Sequence, residues 1–173
     1  MTFVLDCIVK AVMFFLTYNI ISLIAFKTVP RSLSMTYYLY KWEKNMGWLF
    51  PGMMYIIAGL MMPAWIQLSA GSNFQFLAFL APACILFVAT APSFLDSYLE
   101  NRVHSISAYL AAACSILWII LVTEFWWVIL IVLGIITILA FATKTVKTSY
   151  IYWLEMVAFL STFISIILHE CIK

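Results

Sequence analysis

The sequence predicts an all-α fold: one polytopic integral membrane bundle of six transmembrane helices. Three observations carry that expectation. Of 173 residues, 66% are hydrophobic and only 9% are charged, whereas a soluble domain is about half apolar and about a quarter charged. A soluble globule of this size would lack the polar side chains to cover its surface, and the same composition excludes a disordered chain. The apolar residues fall in runs matched to a hydrocarbon core about 30 Å thick, which takes about 20 helical residues per crossing. The basic residues gather on alternate loops. A net charge of +2 is too small to point to a nucleic-acid partner.

The first run covers residues 7–26. It follows Asp6 rather than a basic segment, and no small-x-small site closes it. It therefore reads as a retained span and not as a cleaved signal. The second run covers 48–68, the third 74–95 and the sixth 150–168. Between the third and sixth lies one stretch, 105–142, broken only by Glu124. As a single helix it would be about 57 Å long. Two spans fit instead, with a tight turn at Thr123, Glu124 and Phe125 and an interfacial aromatic belt at Phe125-Trp126-Trp127. No Gly or Pro marks that turn, which leaves five spans as the alternative. No repeat, low-complexity tract or long linker divides residues 1–173, so the chain reads as a single bundle.

With six spans, the loops 27–47, 96–104 and 143–149 share one side. They hold Lys27, Arg31, Lys41, Lys44, Arg102, Lys144 and Lys147, against Lys10 and Lys173 opposite. Seven against two predicts a cell membrane protein with both termini outside the cytoplasm. Gly52, Gly59 and Pro63 form one narrow helical stripe, and Ala108, Ala111, Ala112 and Ser115 another. Small residues let helices approach closely in lipid, so both stripes are expected to be packing faces. Pro63, Pro82 and Pro92 each remove a backbone donor and can kink their helix, either opening a cavity or, as expected here, simply fitting a neighbour.

Cys7, Cys84, Cys114 and Cys171 show no C-x-x-C spacing, so no metal site and no cofactor is predicted. Cys7 and Cys171 lie toward the same outer side, where they either pair or stay free. His104 and His169 fall about a membrane thickness apart, too far to share a haem or metal ion. Ionisable groups inside a bilayer are costly and are by default site candidates. Glu155 is the clearest. Thr162 and His169 follow it at seven-residue intervals and continue one polar line. Asp6 and Lys10, at i,i+4, are expected to pair on the outer side. At the level of Glu155 stand Ser32, Ser34 and Tyr37 in the first inner loop, and Asp96, Glu100, Arg102 and His104 in the second. A carboxylate, an imidazole and hydroxyls around one vestibule suit a proton, a cation or a polar headgroup. A loop network that only orders the bundle would use the same residues.

The order Pro30-x-Ser32-x-Ser34-x-Thr36-Tyr37, then Ala91-Pro92, then His104-x-x-Ser107-Ala108 resembles small six-helix bacterial membrane proteins of unknown function. It is also similar to the DRAM/Sfk-type six-helix membrane family. The resemblance covers roughly residues 30–118. It implies a polytopic membrane protein whose serine-rich loop and fourth-span histidine meet, and it implies no reaction.

Three functional classes follow. The first is binding, sensing or transport of an ion, a proton or a lipid-like solute, with membrane lipid as partner and a homo-oligomer if it forms a channel. The second is an interaction or assembly partner without chemistry. The third is a lipid-acting enzyme with His104 as base, oriented by Glu155 or Asp96. No G-x-S-x-G, H-E-x-x-H or glycine-rich phosphate loop supports the enzyme, so binding or transport ranks first.

Overall fold

The computed structural model describes residues 2–172, which form seven helices and no strand. Helix α1 (Phe3–Phe26) is capped by Thr2, whose hydroxyl accepts the Leu5 N–H, and ends where Lys27 turns left-handed at φ 53°. A short α2 (Thr36–Lys44) lies inside the segment 27–47, where the sequence predicts a loop. Then come α3 (Leu49–Leu68), α4 (Gln75–Thr90), α5 (Tyr98–Val122), α6 (Trp127–Ala142) and α7 (Tyr150–Ile172). Four of them, α1, α3, α5 and α7, are long and apolar enough to cross a membrane. The other two apolar helices, α4 and α6, have 16 residues each, about 24 Å of rise. The structure thus shows four full-length candidate spans and two short apolar helices, where the sequence predicts six spans.

Helix α4 is shorter than its apolar run because a residue before proline avoids the helical region. Ala91 leaves it at φ −118° and ψ 56°. Pro92 therefore lies beyond α4 and kinks nothing, while Pro63 and Pro82 sit inside α3 and α4. The break at residues 123–125 needs neither Gly nor Pro. The Thr123 hydroxyl donates to the Ile119 carbonyl at 2.7 Å and accepts the Phe125 N–H at 3.2 Å. The expected loop 96–104 is instead largely the start of α5. Ser97 caps that helix by accepting the Glu100 N–H, and the Glu100 carboxylate reaches back to the Ser93 N–H at 3.1 Å. Capping overrides low hydropathy here.

Helices α1, α3, α4, α5 and α7 pack in that order into a ring that closes where α7 meets α1. Helix α6 lies against α7 and buries a single stripe, Val128, Val132, Ile136 and Ala140. The Gly52–Gly59–Pro63 stripe is not a packing face. Gly59 and Pro63 are exposed, and a Cβ on Gly59 would meet nothing within 4 Å. Phe50, Met54, Ile57, Met61 and Trp65 face inward instead, because the interior of a five-helix ring is wide and takes large side chains. The four cysteines are free thiols, Cys7 buried and Cys171 exposed.

Candidate functional site

One end of the ring is plugged by the loop between α1 and α2. Its Ser32, Leu33 and Ser34 are buried, as is Thr36 at the start of α2. A backbone carried away from water must find new hydrogen-bond partners, and three helices supply them. The first turn of α7 has N–H groups without intrahelical acceptors, and one of them, on Tyr152, donates to the Arg31 carbonyl at 3.1 Å. Glu155, one turn further, accepts the Leu33 N–H at 2.6 Å. On α1, Tyr18 bonds the Thr36 hydroxyl at 2.5 Å, and Thr36 in turn donates to the Leu33 carbonyl at 2.5 Å. On α5, His104 meets Ser34 at 2.8 Å through Nε2 and the Ala91 carbonyl at 2.9 Å through Nδ1.

The direction of that last chain follows from chemistry. A carbonyl only accepts, so Nδ1 carries the proton. The neutral ring then leaves Nε2 as a lone pair, and the Ser34 hydroxyl donates to it. Stacking on Phe94, with ring centroids 4.6 Å apart, holds the imidazole flat.

Behind the plug lies a cavity of about 70 Å³ between α3, α4, α5 and α7. Ser34 and Glu155 stand at one end, Ala108, Ala111 and Ala112 form one wall, and Trp65 is at the far end. The α5 small-residue stripe thus faces inward and lines the cavity.

The structure sorts the sequence candidates. Glu155 is half-buried and lines the cavity, held by the Leu33 N–H rather than by Lys144 or Lys147. Glu155 and His104 hold neighbouring loop residues, Leu33 and Ser34, instead of bonding to each other. Thr162 lines the cavity and donates to the Ala158 carbonyl at 2.8 Å. His169, the third member of that line, lies against the Trp118 ring at 6.2 Å. Trp118 is 14 residues along α5 from His104, about 21 Å.

Asp96 does not belong to the site. It is exposed and accepts from Lys41 at 3.3 Å, since the Ser97 cap starts α5 immediately after it and leaves it outside the ring. That hydrogen bond raises the Lys41 pKa above its ordinary value. Ser32 is also structural, its hydroxyl accepting the Met35 N–H at 3.2 Å. Tyr37 bonds Ser93 at 3.0 Å, outside the cavity. Asp6 and Lys10 pair at 2.5 Å on the surface.

Residues missed in the sequence reading are Tyr18, Asn19, Tyr152 and Trp65. Asn19, the one asparagine inside an apolar run, is a visible signal: its Oδ1 accepts from Tyr152 at 3.1 Å and its amide donates to the Phe15 carbonyl at 2.8 Å. Among the described residues no three His, Cys, Asp or Glu side chains gather as a metal site would. No family model, no curated protein and no solved structure matches the chain.

Proposed function

We propose that this is a multi-pass membrane protein of six spans, with both termini outside the cytoplasm, that binds a small lipid-like solute within the bundle. The seven-to-two division of basic residues supports the six-span count, with α4 and α6 as short crossings. The cavity carries the functional reading. It joins a polar end, made by Glu155 and Ser34, to an apolar wall of Ile57, Met61 and Phe163. Ligand sites have this composition, mostly apolar with a few convergent polar groups. An ion path would need polar groups along its whole length, whereas beyond Glu155 and Ser34 this mostly apolar lining carries the hydroxyls of Ser115 and Thr162, each bonded to its own helix.

The test is to fill the cavity. Ala112 is half-buried on its wall, so Ala112→Trp would occupy the space. In native mass spectra of the full chain from mild detergent, the unmodified protein is expected to retain co-purified lipid-like adducts and Ala112→Trp to lose them. Equal adducts in both proteins contradict the reading.

A further inference from the structure

The hydrogen-bonding state of each polar group in the cavity wall can be worked out. Ser34 has one hydroxyl proton, and His104 Nε2 takes it. Ser115 donates its proton to the Ala111 carbonyl at 2.7 Å, and Thr162 gives its own to the Ala158 carbonyl. All three line the cavity with oxygen lone pairs alone. An ionised Glu155 is likewise an acceptor, with one oxygen on the Leu33 N–H. No lysine or arginine pairs with it among the described residues, whose ion pairs are Asp6–Lys10 and Lys41–Asp96. With Glu155 ionised, the polar end and side wall of the cavity offer acceptors and negative charge and no donor.

The far end is the reverse. Trp65 is 1% exposed and lines the cavity, and its indole N–H has no hydrogen-bond partner. An alkyl chain end offers that N–H no acceptor, so what Trp65 contributes to the cavity is the apolar face of its ring. From Met54 to Trp65 the α3 wall runs 11 residues, about 16 Å, the length of a single extended alkyl chain; such a chain fills more than 70 Å³, so the flexible Met54 and Met61 side chains must move to admit it.

We propose that the cavity takes a single-chain amphiphile with a protonated amine head, the ammonium on Glu155 and Ser34 and the chain running toward Trp65. An ammonium has three donors and no acceptor, which complements an acceptor-only mouth. Burying it is unfavourable unless it is paired and hydrogen-bonded, and Glu155 provides both. An alcohol head has one donor and no charge, so it binds more weakly. A fatty-acid carboxylate meets like charge and is rejected. This inference rests on the binding reading above and adds the chemical class of the ligand.

The experiment is a competition on the full chain in mild detergent, read by native mass spectrometry. Dodecylamine, dodecanol and dodecanoic acid share one chain and differ only in the head. The expected result is a preference for the amine of about tenfold over the alcohol, with the acid weakest. Glu155→Gln keeps an acceptor for the Leu33 N–H and removes the charge, so it should abolish the preference while dodecanol binding persists. Equal binding of all three heads to the unmodified protein, or a preference for the acid, overturns the amine assignment. If those ligands are still lost in Ala112→Trp, the cavity reading survives that outcome. No binding of any ligand overturns both. The comparison of heads on the unmodified chain decides the point even if a variant fails to fold.

Discussion

The two ends of the helical ring handle buried polarity in opposite ways. At the loop end a stretch of backbone enters the bundle, and Glu155, Tyr152, Tyr18 and His104 satisfy it with bonds from three different helices. At the tryptophan end the buried turn residue Ser69 accepts the Trp118 indole N–H. There the Trp65 and Trp118 rings stand perpendicular at 5.2 Å, and Trp65 and Ser165 each keep a buried polar atom without a partner. The contrast shows where specificity is built. Polar residues at the loop end hold a structure in place, so their remaining lone pairs are fixed in direction. At the other end the same residue types are set in an apolar frame.

The largest expected effect lies at the loop end. Glu155→Leu strands the buried Leu33 N–H and should destabilise by about 1–3 kcal/mol, read as a lowered unfolding temperature in detergent. Glu155→Gln retains an acceptor and should stay close to the unmodified protein. A leucine variant as stable as the glutamine variant would break the comparison, since Glu155 would then not be holding the loop.

The tryptophan end sharpens it through a matched pair. Trp118 donates its indole N–H to Ser69 at 2.7 Å, whereas Trp65 donates to nothing. Both are fully buried, so Trp118→Phe and Trp65→Phe remove the same atoms from the same core. Trp118→Phe should cost about 1 kcal/mol more, the net value of one hydrogen bond. Equal losses would mean that the Trp65 N–H has a partner after all.

The smallest effect is expected at the exposed Lys41–Asp96 pair, beyond the ring. Surface pairs contribute little, so Lys41→Ala should leave the unfolding temperature almost unchanged at neutral pH. Because the bond to Asp96 raises the Lys41 pKa, its contribution is fully present below the ordinary lysine value. It is lost as pH rises through the folded one. Any small difference between Lys41→Ala and the unmodified protein should therefore vanish in strong alkali.

Local features were readable in the sequence because they depend on spacing alone. The apolar runs, the break at Thr123 and the Asp6–Lys10 pair all follow from residues within one or two turns of each other. Glu155, Ser34, His104 and Thr162 stand out by being polar at apolar levels. Their arrangement does not. Ser34 lies 70 residues from His104 and Leu33 lies 122 from Glu155, and the contacts exist only because a polar loop folds inward. Hydropathy assigns such a loop to the surface. Asp96 misled for the converse reason: close in sequence to His104, it is separated from it by a helix cap. The small-residue stripes were likewise ambiguous, since one faces outward and the other lines a cavity.

The central claim is that an amine amphiphile lies head-first on Glu155 with its chain between α3, α5 and α7. Photolabelling with a dodecylamine that carries a diazirine at the chain end tests it most directly. Peptide mapping should find the label on the inner wall near Met61 and Trp65, and Ala112→Trp should abolish it. Label confined to exposed positions such as Ile138 and Phe141 of α6, or unchanged in Ala112→Trp, would contradict the account.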